Sequence, residues 1–293
     1  MSKPQPYSQH TTQTWVIPGA ASLPLYGDTH IPHNPPCAVA IILHGFLGYK
    51  DYGLIVKLTQ LLARCNVIAH RFNFAHSGVT PHATIFDRPD LFSDQTWNAQ
   101  VQDVQHVCGA IKRGQLLGDG LPLFVLGHSR GGVAALLFAN RHHHTHSLTG
   151  IVTLAAPSAC CTMSTHEQNE FIARGYTLVH SNRTGQDLRI NSRWLEEQII
   201  DPGAHDLRKA LASIPCPILV IHGLADQTVA PCAAHELASW APRTQLVLVP
   251  DANHVFNVPN PPNPEASESG EFHILASSIE RFVGEMADNS CRS

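Results

Sequence analysis

Residues 123–132 read Leu-Phe-Val-Leu-Gly-His-Ser-Arg-Gly-Gly, and this stretch decides the fold. Its first four residues are apolar β-formers, and an apolar run at 133–138 follows the two glycines. The pattern predicts a strand, a sharp turn and a buried helix, with Ser129 at the apex of the turn. In the Gly-x-Ser-x-Gly elbow, the glycines let strand and helix approach closely while the serine hydroxyl projects from the strand end. Ser129 is therefore a candidate nucleophile.

Strands and helices alternate along the rest of the chain. The continuous apolar run at 38–43 is typical of a parallel strand that is buried on both faces. Further strands are predicted at 66–72, 151–157, 217–223 and 244–250, and helices at 51–65, 95–111 and 272–284. Segments 14–18 and 23–27 are expected to form an opening antiparallel pair. This order predicts an α/β fold whose mostly parallel central sheet has helices on both faces and its site at the carboxyl ends of the strands.

The 293 residues suffice for one large domain, so we predict a single domain over 1–293. One connection, between Pro157 and Ile214, is too long for a plain loop. It contains helical patterns at 170–176 and 194–200, with a hairpin pattern between them. We therefore predict a small cap insertion at 158–213 over the strand ends. A surface excursion that does not touch substrate is the alternative.

Composition excludes several classes of protein. Charged residues make up 14% of the chain and the net charge is −4, which gives no electrostatic case for a nucleic-acid or anionic-membrane partner. No apolar run approaches the ~20 residues that span a bilayer. The polar N-terminus predicts no export signal, and the eight scattered cysteines form no Cys-x-x-Cys pair. We expect reduced thiols, a cytoplasmic location and a small-molecule partner, with the oligomeric state left open.

A histidine cluster, His142-His143-His144-Thr145-His146, is the one candidate metal site. It has no carboxylate or cysteine partners at ligand spacing, and it lies where a helix should end. We therefore interpret it as a solvated helix terminus and expect neither a metal nor a cofactor.

A serine hydroxyl becomes an effective nucleophile only when a base takes its proton and an acid orients that base. On a strand–elbow–helix scaffold these groups follow in the order serine, acid, histidine. Asp226 comes just after the strand at 217–223, and His254 comes just after the last strand. Asp251 is a rival acid, but its position three residues before His254 constrains its approach to the far ring nitrogen. We favour Ser129, Asp226 and His254 as the catalytic triad.

The negative charge of the intermediate needs two backbone N–H donors. One candidate is Arg130, which starts the helix after the nucleophile. The other is Phe46, in the turn His44-Gly45-Phe46-Leu47-Gly48, with Leu47 as the alternative. For the substrate pocket, the candidate walls are Phe46, Trp194 and Phe256, although large aromatic residues are more often core packing.

These segments resemble the α/β-hydrolase superfamily over nearly the whole chain. The matching segments are the turn at 44–48, the stretch at 71–78, the elbow, and the loops of Asp226 and His254. The nearest likeness is to bacterial single-domain serine esterases, cinnamoyl/feruloyl-esterase-like, and to the serine-aminopeptidase-like group. The resemblance implies hydrolysis of carboxylic esters through an acyl-enzyme.

The elbow sequence differs from that of several other branches of the superfamily, and these differences narrow the activities that the resemblance implies. The elbow carries serine, whereas haloalkane dehalogenases and epoxide hydrolases carry aspartate and dienelactone hydrolases carry cysteine. It also lacks the Gly-Gly-Ser-Trp-Gly form of prolyl iminopeptidases, which favours an esterase over a peptidase. An amidase, aminopeptidase or thioesterase with the same triad stays open, as does a non-catalytic ligand-binding module.

Overall fold

The computed structural model describes residues 10–81, 83–262 and 268–290. The strands in these ranges are β1 (His10–Pro18), β2 (Pro24–Pro32), β3 (Ala38–Leu43), β4 (Val67–Asn73), β5 (Leu123–His128), β6 (Gly150–Leu154), β7 (Tyr176–Ser181), β8 (Gln186–Asn191), β9 (Ile218–Gly223) and β10 (Thr244–Val249). The α-helices are α1 (Gly53–Arg64), α2 (Pro89–Ser93), α3 (Trp97–Lys112), α4 (Arg130–His142), α5 (Thr165–Arg174), α6 (Arg193–Ile200), α7 (Leu207–Ser213), α8 (Cys232–Trp240) and α9 (Gly270–Ser290).

Eight strands form the main sheet in the order β1-β2-β4-β3-β5-β6-β9-β10. The β1–β2 and β2–β4 pairs are antiparallel, and every later pair is parallel. All six residues of β3 are buried, as expected for a strand that is covered on both faces. The predicted α/β fold with its mostly parallel sheet and opening antiparallel pair is confirmed.

Two apolar layers cover the sheet. On one face, Val104 of α3, Leu136 of α4 and Leu237 of α8 are fully buried in a single cluster. On the other face, Leu58 of α1 and Ile279 of α9 belong to a second cluster. The sheet is therefore held between helices on both sides, and its strand ends are left to build the site.

The segment predicted to be a cap insertion, residues 158–213, follows β6 and contains α5, the antiparallel β7–β8 hairpin, α6 and α7. Helix α5 begins earlier than the sequence pattern suggested, because Ser164 and Glu167 form a reciprocal capping box. It ends at Gly175, whose φ of 77° is readily adopted only by glycine. The hairpin and α6 lie where they were predicted.

Three helices, α2, α7 and α8, were not predicted from the sequence. Helix α2 lies between β4 and α3, α8 lies between β9 and β10, and α7 ends the segment predicted to be the cap insertion. Leu207 and Leu211 of α7 pack into the same core cluster as α4. The last part of residues 158–213 is thus built into the body of the domain rather than over the strand ends.

The histidine cluster lies at the end of α4. The rings of His142 and His146 contact the ring of Phe138, with centroids 5.2 and 5.7 Å away. In the described part of the chain, no three His, Cys, Asp or Glu side chains converge as metal ligands would. Among the same residues, no helix is both long enough and apolar enough to cross a membrane.

Candidate active site

Ser129 lies at the junction of β5 and α4, with φ of 52° and ψ of −121°. This conformation is strained for a residue with a side chain, and two close backbone contacts enforce it. A Cβ on Gly127 would lie 2.2 Å from the Gly131 carbonyl oxygen, and one on Gly131 would lie 2.5 Å from that of Leu43. Only glycine fits at either position, so strand and helix meet in a tight elbow that presents Ser129.

Helix α4 starts directly after the serine. Its first backbone hydrogen bond is donated by the N–H of Gly132 to the Ser129 carbonyl oxygen at 2.9 Å. The N–H of Arg130 precedes this bond and has no intrahelical acceptor. A free donor at the positive end of the helix dipole is suited to bind an oxyanion next to the serine.

The turn after β3 packs against the elbow. A Cβ on Gly45 would lie 3.1 Å from the Ser129 Cβ, so the backbone of this turn is in contact with the candidate nucleophile. The Gly48 N–H donates to the Gly45 carbonyl oxygen at 3.1 Å, which closes the turn around Phe46. The Asn73 side chain accepts a hydrogen bond from the Lys50 N–H at 2.7 Å and ties the turn to the end of β4.

A buried ion cluster supports this turn from behind. Lys50 Nζ lies 2.7 Å from the Asp28 carboxylate and 2.8 Å from that of Asp51. Arg71 lies 3.1 and 2.9 Å from the same two carboxylates, and it donates to the Lys50 carbonyl oxygen. The segment that carries Phe46 is therefore anchored by charge pairs that are largely removed from water.

His254 and Asp226 meet at the strand ends. His254 Nδ1 donates to Asp226 Oδ2 at 2.8 Å, and the Asp226 side chain is fully buried. The other oxygen, Oδ1, accepts from the N–H groups of Thr228 and Val229 at 2.8 and 3.0 Å. Asp251, the rival acid, is exposed and has no hydrogen bond to His254 in the described structure.

A second histidine contacts the same carboxylate. His222 Nε2 is 3.2 Å from Asp226 Oδ2 and 3.0 Å from the Val229 carbonyl oxygen, so this nitrogen carries the proton. Burial alone would raise the pKa of Asp226, but the hydrogen bonds from His222, His254 and the backbone outweigh it and hold the pKa well below its usual range. Asp226 is therefore an anion at neutral pH.

Two further histidines are structural neighbours of the site. His128 Nε2 donates to the His254 carbonyl oxygen at 2.8 Å, and the two rings lie 4.8 Å apart. His44 Nδ1 donates to the Gly45 carbonyl oxygen, and its Nε2 accepts from the Phe74 N–H at 3.3 Å. Burial lowers the pKa of His128 to about 3 and that of His44 to about 4. Both rings are thus neutral; His128 holds the backbone of the His254 loop, and His44 holds the turn at 44–48 against Phe74.

Ser129 lines two cavities. The larger cavity, of about 600 Å³, lies between the body and the cap insertion. Its walls include Phe46, Trp97, Ser129, Arg130, Phe171, Val179, Ile190 and Trp194. The smaller cavity, of about 350 Å³, is bordered by the turn at 44–48, by His254 and by Arg183. Ser129 and His254 share the smaller cavity, while the described residues show no hydrogen bond between their side chains, as is common in free enzymes.

Of the three residues predicted to wall the substrate pocket, two line a cavity beside Ser129 and one does not. Phe46 lines both cavities and Trp194 lines the larger one. Phe256 lines neither: it is fully buried in the cluster that contains α9, with φ of 54°. The prediction that Phe256 walls the substrate pocket is therefore wrong, because the loop after β10 turns its ring into the core.

The model of the alpha/beta hydrolase family matches residues 40–266, which is most of the chain. The chain belongs to the α/β hydrolase family. No curated protein sequence matches this α/β hydrolase. Its fold is similar to the structure of Est1E from Butyrivibrio proteoclasticus with ferulic acid bound, at 16% identity and a TM-score of 0.67, covering 92% of this chain and 98% of that one.

Two other solved structures have comparable similarity. An esterase domain from a Rhodothermus marinus protein is 18% identical, with a TM-score of 0.63 and coverage of 93% of this chain and 98% of that one. Alpha/beta hydrolase domain-containing protein 10 from mouse is 16% identical, with a TM-score of 0.66 and coverage of 94% and 99%. At these identities the likeness establishes the shared fold and leaves substrate and mechanism to the residues of the site.

Sequence reasoning missed His222 and the side chain of Arg130. His222 is the penultimate residue of β9, four residues before Asp226, so its place beside the acid was accessible from spacing alone. For Arg130, the sequence pattern indicates only a role for the backbone N–H. Its side chain is buried against Trp97 and Trp194, which come from distant parts of the chain, and no local pattern signals that contact.

Proposed function

We propose that this α/β hydrolase is a carboxylesterase that cleaves its substrate through a covalent acyl-enzyme on Ser129. The observation that carries the proposal is the joint placement of three groups: a strained serine at the elbow, an imidazole that borders the same cavity, and a buried carboxylate bound to the far nitrogen of that imidazole. These are the positions that nucleophile, base and orienting acid require.

The proposed reaction starts with attack of Ser129 Oγ on the ester carbonyl carbon while His254 Nε2 takes the serine proton. Asp226 holds the Nδ1–H tautomer of His254 and stabilises the imidazolium that forms. The N–H groups of Phe46 and Arg130 bind the oxyanion. His254 then gives its proton to the departing alcohol. Water, activated by the same imidazole, releases the carboxylic acid.

The test compares wild type with Ser129→Ala on p-nitrophenyl butyrate and on the matching p-nitroanilide and thioester. We expect ester turnover in wild type and a loss of about 10⁴-fold or more in Ser129→Ala, since the nucleophile is removed. Ser239→Ala is the matched control, because this hydroxyl is exposed on α8 and, among the described residues, bonds only the Glu236 carbonyl oxygen.

Undiminished ester turnover in Ser129→Ala would overturn the proposal. If the anilide or the thioester is cleaved faster than the ester, the same site is instead that of an amidase or a thioesterase.

A further inference from the structure

The Arg130 guanidinium is a buried cation with almost no partners. Its residue is 7% exposed, and Nε donates to the Gln100 side-chain oxygen at 3.1 Å. Nη2 is buried without an acceptor. No carboxylate of the described residues forms an ion pair with Arg130. The nearby Glu197 instead accepts from the N–H groups of Trp97 and Asn98.

Aromatic rings surround this guanidinium. Its Cζ lies 4.4 Å from the ring centre of Trp97 and 5.6 Å from those of Phe46 and Trp194. Such contacts stabilise the cation through the faces of the rings, but they leave its N–H groups without acceptors. Burial lowers the pKa of Arg130 to about 10, so the side chain stays charged at neutral pH.

The same two tryptophans are also unsatisfied donors. The indole Nε1 atoms of Trp97 and Trp194 are buried without a hydrogen-bond partner, and the ring centroids lie 6.3 Å apart. Arg130, Trp97 and Trp194, the residues that carry these three unpaired donors, all line the larger cavity. Buried donors are nearly always paired in a folded protein. This wall of the cavity therefore lacks hydrogen-bond acceptors for the donors and a negative charge to balance the guanidinium.

The position of the base indicates which part of an ester enters this cavity. His254 has to protonate the leaving alcohol, and it borders the smaller cavity but not the larger one. On the proposed function, the alcohol therefore leaves through the smaller cavity and the acyl group occupies the larger one. The larger cavity is mostly apolar, and Arg130 is the only charged side chain among the described residues that line it.

We propose that the acyl group of the substrate carries a carboxylate, which Arg130 binds at the wall of the larger cavity. The substrate class is then a monoester of a dicarboxylic acid. A carboxylate offers only acceptors and matches the planar guanidinium edge. Water adds across the ester bond, so the products are the free dicarboxylate and the alcohol. This inference rests on the proposed function, because it requires an ester bond at Ser129.

The test uses monomethyl esters of succinic, glutaric, adipic and suberic acids. Each is paired with the methyl ester of the uncharged fatty acid of equal chain length. An apolar cavity alone would favour the uncharged member of each pair. We expect wild type to prefer the acid monoester by about tenfold or more in kcat/KM for at least one length. In Arg130→Met this preference should fall by at least about tenfold.

The matched control is Arg189→Met. Arg189 is exposed on β8, bonds Asn191 and lies outside the larger cavity, so the acid-to-neutral ratio should not change. A second measurement does not depend on any Arg130 variant folding. In wild type, the free dicarboxylate of the preferred length should inhibit hydrolysis of p-nitrophenyl butyrate at least about tenfold more strongly than the monocarboxylate of that length.

The outcomes separate the two proposals. Equal or better hydrolysis of the uncharged esters at every length would overturn carboxylate recognition and leave ester hydrolysis standing. If no ester is cleaved, calorimetric titration of Ser129→Ala with the monomethyl esters decides whether Arg130 binds a carboxylate. Binding that Arg130→Met abolishes in that background supports carboxylate recognition without esterase activity, and absence of binding overturns it.

Discussion

Replacing Asp226 by Asn tests whether the Asp226 carboxylate orients the imidazole of His254. The carboxylate accepts from both sides: Oδ1 from the Thr228 and Val229 N–H groups, and Oδ2 from His254 and His222. In Asp226→Asn, the two backbone donors require the amide oxygen, so the NH₂ group must face His254. The imidazole then accepts at Nδ1 and carries its proton on Nε2, the wrong tautomer for taking the serine proton.

The magnitude follows from two losses. To recover the productive Nδ1–H tautomer, the imidazole must give up its hydrogen bond from the Asn amide and face that NH₂ group with a second donor, which costs about 1.5–3 kcal/mol. The pairing of the imidazolium with a carboxylate about 4 Å away is worth about 4 kcal/mol at an effective dielectric constant near 20. Together these are about 6 kcal/mol, which corresponds to a loss of about 10⁴-fold in kcat/KM.

The assay is hydrolysis of p-nitrophenyl butyrate at pH 8, with urea unfolding to verify that the variant is folded. Asp251→Asn is the matched control, since Asp251 lies in the loop of His254 but is exposed. We expect this control to stay within about threefold of wild type. A folded Asp226→Asn variant that retains a tenth of the activity, or a larger loss in Asp251→Asn, would refute the role of Asp226.

Three further predictions concern the scaffold. Burial lowers the pKa of His70 to about 4, so its contribution to stability is fully present above pH 6.5 and is lost at about 1.4 kcal/mol per pH unit as pH drops toward 4. The pKa values of His44 and His128 are lowered too, so urea titrations should show that His70→Gln makes the slope of stability against pH shallower by about 1.4 kcal/mol per unit; an unchanged slope would contradict this. Asp28→Asn should cost about 3 kcal/mol and lower kcat/KM, because it leaves Lys50 and Arg71 undercompensated behind the Phe46 turn; equal urea midpoints would contradict this. Gly127→Ala should lower the free energy of unfolding by about 3 kcal/mol or more, whereas Gly270→Ala, with open space around its Cβ, should be nearly neutral.

Much of the fold was predictable because local chemistry determines it. Buried parallel strands such as β3 are continuous apolar runs, and the elbow around Ser129 needs glycine on purely steric grounds. Asp226 and His254 could be placed because parallel strands bring their carboxyl ends to one edge. In each case the deciding interaction lies within a few residues or follows from sheet topology.

The rest depends on contacts that sequence order does not encode. The sequence suggests that Phe256 is an aromatic residue of the substrate pocket. Its positive φ and its packing in the cluster of α9 instead place its ring in the core. Helix α7 has only seven residues, and its apolar side is explained by the core cluster that it shares with α4. The Arg130 side chain lies next to Ser129 in sequence, yet its surroundings come from Trp97 and Trp194.

The central claim is that Ser129 is the activated nucleophile. The most direct measurement is labelling of the folded protein with a fluorophosphonate probe, followed by intact mass and peptide mapping. We predict one adduct per chain, located on Ser129 and lost in His254→Ala, because the hydroxyl reacts only when the imidazole takes its proton. No adduct on the folded protein, or an adduct on another residue, would contradict the account and indicate a ligand-binding module that keeps the cavity without the chemistry.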